Sequence, residues 1–423
     1  MLRYWPALLV GRVARTLIRL VRKGGGSALP GVILSKLAPG ILWRVLNGFE
    51  HGLVIVTGSA GKSTTTKMLV AIAREHGLIV FTNPSTANIL QGFYATIVEK
   101  ASFAGRIAGD IAILEMDEAH AEELSRKVAP RQVTVLNVLE DQLDRFVDPA
   151  LVRQDLAMVA SRATDSVILN ADDQNTIMIG AELAGKSVSW FGIDPVIMKS
   201  FGGLETAPTY LEPLDRPRVD SEVSSFANLT DIEISSEEKS WSVNLPSRGL
   251  HFALDAVAAF ESARRLLGSS FDPSIATKAL NEVPPVFARG EMVQVGGEDV
   301  EFILVQNPAS MQLNLNNLLG NPEQILFGIG RDVHDPSWLW TVDYSNLKHV
   351  DVCTGFNAHE AALTLLYKGV PVSETTDNLE DAIKTFFSLP KPTHGHKVVI
   401  FSADVMRRMR RALGFWSPEE VER

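Results

Sequence analysis

The sequence predicts an α/β protein, a parallel-sheet domain followed by a smaller α/β domain, and three observations carry that expectation. Short apolar runs recur along the chain with segments of helical pattern between them, the signature of parallel strands covered on both faces. The first strong run ends in a glycine-containing turn that opens a helix. The chain has 423 residues, 46% of them hydrophobic and 21% charged, which supplies two or three domain cores and excludes a disordered or collagen-like chain.

Residues 1–49 hold Arg3, Arg12, Arg15, Arg19, Arg22, Lys23, Lys36 and Arg44 and no acidic residue. Leu8, Leu9, Val13, Leu17, Leu20 and Val21 interleave with these arginines at roughly helical spacing. The apolar runs are too short to span a bilayer, and no signal-peptide cleavage pattern follows them. Two readings stay open: a helix packed on the body of the protein or a partner, or an amphipathic helix in peripheral contact with an anionic membrane.

A first domain is expected over 50–285. Its strands are Leu53–Val56, Leu78–Phe81, Ile111–Leu114, Val133–Leu136 and Ser166–Leu169, with helices at Lys67–Glu75 and Ala150–Ala163 among the connections. The stretch from about 195 to 244 is polar and rich in Ser, Glu, Asp and Pro, and reads as an irregular or short-stranded insertion. Pro284-Pro285 interrupts the alternation, so a second, smaller α/β domain is expected over 286–423, with apolar runs at Phe302–Val305, Gln324–Gly328, His349–Cys353 and Lys397–Phe401.

The charge balance narrows the function classes. Forty basic against fifty acidic residues give a formal charge of −10, a poor fit to nucleic-acid binding. A lone cysteine, Cys353, excludes a disulfide framework and a cysteine-cluster zinc site, and fits a reducing cytoplasm.

The strongest chemical signal is Thr57-Gly58-Ser59-Ala60-Gly61-Lys62-Ser63-Thr64-Thr65. A strand–turn–helix of this kind lets backbone N–H groups and a helix N-terminus meet phosphate oxygens. Lys62 can reach terminal phosphates, and Ser63 or Thr64 can hold Mg2+. Val56 stands where the usual phosphate-loop pattern has its first glycine. Glu115 closes a strand expected in the same sheet and can supply an oxygen ligand to a nucleotide-bound Mg2+. Asn137, Asp141, Gln142, Asp144 and Arg145 follow the next strand, and Asn170, Asp172 and Asp173 the one after.

With these residues in view, the 56–65 segment resembles the ATP loop of the Mur ligase superfamily of amide-forming enzymes, as do Leu169–Asp173 and Phe287–Glu291. Thr82–Asn88, Asp141–Arg145, Val305–Ala309 and Asp335–Trp340 resemble, more narrowly, the MurT family within it. The resemblance runs from about residue 30 to about 412. It implies a Mur ligase-like central ATP-binding domain followed by a smaller C-terminal domain. It also implies ATP-dependent amidation of the D-glutamate α-carboxyl of lipid II, with ammonia from a GatD-like glutamine amidotransferase partner.

Carried onto this chain, the resemblance gives Lys62, Glu115 and Asp335 catalytic roles. It gives Thr57, Gly58, Gly61, Lys62, Ser63, Thr64, Asn88, Asn170, Asp172 and Arg289 to the nucleotide, and Ser63, Glu115 and Gln142 to Mg2+. Asp335 would reach the partner's Cys–His pair, with Asp332 and Asp343 as the other candidates. The four-cysteine zinc ribbon of many relatives is missing, and the family pattern is broken at Phe252, Asp255, Gln306, Ser310 and Thr341. Another Mur-type amino-acid ligase and a non-catalytic nucleotide-binding scaffold remain the alternatives.

Overall fold

The computed structural model describes residues 4–21, 29–83, 90–139, 148–200, 204, 207, 209, 211–284, 289–318 and 322–415. The chain divides into two compact units, one of residues 1–246 and 250–283, the other of 247–249 and 284–423.

The first unit begins with α1 (Trp5–Val21), α2 (Leu29–Leu37) and α3 (Ile41–Leu46). The alternation follows: β1 (Leu53–Thr57), α4 (Lys62–Glu75), β2 (Val80–Phe81), α5 (Leu90–Lys100), β3 (Ile111–Glu115), α6 (Glu118–Ser125), β4 (Gln132–Val135), α7 (Pro149–Ser161), β5 (Ser166–Asn170), α8 (Gln174–Glu182), β6 (Val188–Ile193) and α9 (Pro195–Ser200). It closes with β7 (Ser221–Ala227), β8 (Asp231–Ser236), β9 (Lys239–Asn244), α10 (Leu250–Leu267) and α11 (Pro273–Glu282).

One nine-stranded sheet in the order β2-β3-β1-β4-β5-β6-β7-β8-β9 runs through this unit. It is parallel from β2 to β7. Strands buried on both faces must be apolar throughout, which is why β1, β3 and β5 are each buried along their whole length. Alternate residues feed two cores: Leu53 and Ile55 join the one with α5 and α7, while Val54 and Val56 join the one with α4 and α10. Residues 1–49 are not a separate body; α1, α2 and α3 all pack against α5.

The stretch 195–244, expected to be irregular or short-stranded, takes the short-stranded form in its described residues. It holds α9 and an antiparallel meander, β7-β8-β9, that widens the sheet. Val223, Ile232, Ile234 and Val243 face the core while the intervening Ser and Glu stay wetter. Its turns use Asn228, Leu229, Glu237 and Glu238 at positive φ, so none of the glycine signals of a tight hairpin marks them.

The second unit holds β10 (Arg289–Val295), β11 (Glu298–Leu304), α12 (Pro308–Asn316), β12 (Ile325–Gly328), β13 (Val350–Thr354), α13 (Ala358–Tyr367), β14 (Val372–Thr376), α14 (Leu379–Ser388), β15 (Lys397–Phe401) and α15 (Ala403–Ala412). Its six strands run β10-β11-β15-β12-β13-β14, parallel except for the β10–β11 hairpin. Ile325 and Phe327 enter one core and Leu326 the other.

Several elements start with one device. Asp148-Pro149, Asp272-Pro273, Asn307-Pro308 and Asp335-Pro336 each place a capping side chain before a proline whose missing N–H costs nothing in the first turn.

Helix α10 is the central buried element of the first unit. Phe260 on it is fully buried, with ring centroids 5.1 Å from Phe271 and 5.7 Å from Trp241. Phe260→Ala should cost about 3–5 kcal/mol of stability, measured as a lowered urea midpoint at unchanged slope.

Candidate functional site

The site is built at the carboxyl ends of adjacent parallel strands. β1 lies between β3 and β4, so the chain leaves the sheet in opposite senses on its two sides. That arrangement leaves a crevice at the strand ends, where open α/β sheets take their ligands.

Gly58 (φ 128°) and Gly61 (φ 83°) fold the turn between β1 and α4. Gly61 is the N-cap of α4 and has a second constraint: an added Cβ would lie 2.2 Å from Asp255 Oδ1. Asp255, on α10, also accepts a hydrogen bond from Thr65 Oγ1 at 3.2 Å. The other wall is Asn137. Ala60 N donates to its Oδ1 at 2.8 Å, its Nδ2 donates to Ala60 O at 3.2 Å, and Ser59 N donates to its backbone oxygen at 3.1 Å. The turn is therefore held from two sides before any ligand arrives.

Ser63 and Glu115 meet: the hydroxyl donates to Glu115 Oε1 at 2.9 Å. The pairing of Val56 with Glu115 fixes the carboxylate one strand away from the turn. Asn83 holds the same residue from outside, accepting from Glu115 N at 3.0 Å and donating to Glu115 O at 3.1 Å. Lys62 is bent over the turn, donating to Gly58 O and to Ser59 O, with Glu118 Oε1 3.7 Å away.

Of the remaining expected residues, Thr57 and Thr64 are buried beside the turn. Asn170 is buried at the end of β5, donating to Leu136 O at 2.9 Å and accepting from Asp172 N at 2.9 Å. Asp172 is engaged by Arg216 at 2.7 Å and by Ile193 N at 2.7 Å. Asn88 and Gln142 lie outside the described residues, and so do Asp141, Asp144 and Arg145; Arg289 is described only as the first residue of β10.

Asp255 was expected as a departure from the family pattern; the structure makes it the backstop of Gly61. Glu118 and Asn83 carried no expected role. Their signal in the sequence is only their position just after a strand end, which many solvated turns share.

The oxygens of Ser63 and Glu115 suit a hard cation that keeps water and phosphate in its other positions. Among the described residues there is no group of three His, Cys, Asp or Glu that could hold a metal by itself.

In the second unit the three candidate aspartates separate. Asp332 Oδ1 accepts from Ser402 Oγ at 2.7 Å. Asp343 accepts from Ser345 N at 2.9 Å and Ser345 Oγ at 3.1 Å. Asp335 is exposed and caps the 3-10 turn Pro336–Thr341, accepting from Ser337 N at 2.9 Å. Hydrogen bonds from Ser337, side chain and backbone, hold its carboxyl below the ordinary range. Fully buried Leu339 pins the turn to the core, with Trp338 packed beside it.

Cys353 is fully buried, and burial pushes its thiol up to about 12, far from any nucleophilic role.

The comparisons with known proteins bear on both units. Residues 56–263 match the Mur ligase middle domain and residues 304–403 the MurT ligase C-terminal domain. The chain is 26% identical to the MurT subunit of lipid II isoglutaminyl synthase (glutamine-hydrolyzing) from Streptococcus pneumoniae, over 89% of this chain and 90% of that one. It is 25% identical to the subunit of the same name from Staphylococcus aureus strain COL, over 45% of this chain and 42% of that one. The crystal structure of MurF ligase from Thermotoga maritima in complex with ADP superposes with a TM-score of 0.65 at 18% identity, covering 95% of this chain and 88% of that one. At that identity the likeness shows the fold.

Asp173 yields a pH test. It is wholly buried, accepts from Val138 N at 2.6 Å and Asn175 N at 2.8 Å, and burial raises its carboxyl to about 6. Over the window from about pH 4 to about pH 6 the folded chain keeps a proton that the unfolded chain releases, so stability falls as pH rises, by about 2–3 kcal/mol in total. Urea unfolding across this window should show that slope, and Asp173→Asn should flatten it whatever it does to the absolute stability.

Proposed function

From the premise that this chain carries a Mur ligase middle domain and a MurT ligase C-terminal domain, we propose that it is the ligase subunit of a two-subunit amidating enzyme. It transfers the γ-phosphoryl group of ATP to the α-carboxylate of D-glutamate in lipid II. A GatD-like glutamine amidotransferase supplies the ammonia that converts the product to D-isoglutamine. The observation that carries this reading is a pair of features on one chain: the braced phosphate turn with Ser63 on Glu115, and the exposed Asp335 on its anchored cap.

The chemistry follows from the groups present. A carboxylate is a poor acyl donor, so a phosphoryl group is first joined to one of its oxygens and ADP departs. The nitrogen of ammonia then bonds to the carbonyl carbon, phosphate leaves with that oxygen, and the surplus proton passes to solvent. Backbone N–H groups at the α4 N-terminus hold the phosphates, and Lys62 exchanges its carbonyl partners for the γ-phosphate. Ser63 and Glu115, with Gln142 as a further candidate, would hold Mg2+, which would offset the charge of the phosphates. Thr57, Gly58, Gly61 and Thr64 shape this pocket, and Asn88, Asn170 and Asp172 join the nucleotide-binding set. Asp335 acts in the other half-reaction, orienting the partner's histidine and stabilising its cationic form. The work is placed in the cytoplasm, at the inner face of the membrane that carries lipid II.

Mass spectrometry of lipid II after incubation with the protein, ATP, Mg2+ and ammonium tests the first half. Conversion of carboxyl to carboxamide is expected, and Lys62→Ala should lower its rate by about 10²–10³-fold. Failure to convert, even with the co-purified partner and glutamine, would refute the reading.

Asp335→Asn tests the second half. It should abolish amidation driven by glutamine and leave amidation driven by ammonium within about threefold of the starting chain, as expected for a group absent from the phosphoryl-transfer site. Equal loss of both sinks the assignment.

A further inference from the structure

Helix α1 wears its polarity inside out. Arg12 and Arg15 turn toward α5: Arg12 donates through Nε to Val98 O at 3.0 Å and through a terminal nitrogen to Ala101 O, and Arg15 pairs with Glu99 at 2.8 Å. Leu8 is fully buried, and Gly11 sits so close to α5 that an added Cβ would lie 2.9 Å from Val98. The opposite face carries Trp5, Leu9, Val13 and Leu17 at successive four-residue steps, with Val10 beside them, each 43–57% exposed. Pro6 and Thr16 complete that face, and the Thr16 hydroxyl is turned back onto Arg12 O at 3.0 Å. No exposed position of α1 from Trp5 to Leu17 is charged. A helix that faced only water would show the reverse pattern.

We propose that this face lies in the headgroup region of an anionic lipid bilayer. Charge selects this occupant over a protein. Residues 1–49 hold eight basic residues and no acidic one, in a chain whose formal charge is −10. On α2, Leu29 and Leu37 are 51% and 56% exposed, with Lys36 exposed next to Leu37, and Arg44 is exposed on α3. An apolar stripe alone would suit many partners, whereas a segment without acidic residues, with Lys36 and Arg44 exposed beside it in sequence, suits a surface of fixed negative charge. No helix among the described residues is long and apolar enough to cross a membrane, so α1 lies along the surface. Of the proposed function the inference shares only the lipid-linked substrate, and bilayer contact would bring the subunit to it.

Flotation of the full chain with phosphatidylglycerol-containing vesicles, against pure phosphatidylcholine vesicles, is the test. Binding to the anionic vesicles at low salt is expected, weakening as salt rises. Leu9→Glu combined with Val13→Glu should reduce the bound fraction at least about tenfold, because it places charge in the buried face. An unchanged urea midpoint certifies the fold, and Val13→Gln with Leu17→Gln replaces the pair if the glutamates unfold the chain. Equal binding of variant and starting chain overturns the inference, as does no binding at low salt. A dimer that dissociates in the variant, without vesicle binding, also overturns it and assigns the stripe to a second copy. Vesicle binding without amidation would leave the surface assignment standing and remove the catalytic one; amidation of a water-soluble lipid II analogue without vesicle binding would do the opposite.

Discussion

The geometry of the first unit depends on one close approach, that of Gly61 to the Asp255 carboxylate. The turn must reverse from strand to helix within four residues and leave the N-terminus of α4 open, which needs a left-handed residue at the helix cap. Any side chain there would displace Asp255, and Asp255 is also the partner of Thr65 one turn along α4. The phosphate turn is thus registered against α10, the buried helix under β4 to β7, and not merely against its own strand. On the far side Asn137 extends from β4 to the same turn. A rigid cradle of this kind lets binding energy be directed to the phosphates instead of to ordering the loop.

The second unit solves a different problem. It must present an exposed carboxylate at a fixed place, and an exposed aspartate on a free loop would lose that position to entropy. The chain confines it with the Asp335-Pro336 start, whose proline sets one dihedral and whose aspartate closes a hydrogen bond to Ser337, and with Leu339 buried four residues on. The acid is placed by its neighbours while the residue itself stays exposed. Asp332 and Asp343, drawn into bonds with Ser402 and Ser345, serve the loop itself.

Much of this was legible in the sequence, for stated reasons. Parallel strands buried on both faces must be written in unbroken apolar residues, so β1, β3, β5 and β15 could be read directly. The phosphate turn could be read because glycine, lysine and serine at fixed spacing answer to one ligand chemistry. The β7–β9 meander could be read only as an irregular or short-stranded stretch, because its strands carry serine and glutamate outward and its turns place non-glycine residues at positive φ. The roles of Asp255 and Asn137 on the turn were hidden for another reason: each acts across long sequence separation, 190 and 77 residues from its partner. The surface of α1 was half legible: its periodicity was plain, but which face turned inward depended on α5.

Ser310 illustrates how a departure from a family pattern can be misjudged. The family pattern is broken there, yet its hydroxyl accepts from Asn307 N at 3.1 Å and Gln306 N at 3.0 Å, while Asn307 Oδ1 accepts from Ser310 N at 2.7 Å. The two residues form a reciprocal box that starts α12. They are therefore epistatic: replacing either strands the other, so neither drifts freely once both are in place. Counted with Asn307, Ser310 closes a cap from within the chain, so this departure from the family pattern leaves the start of α12 intact.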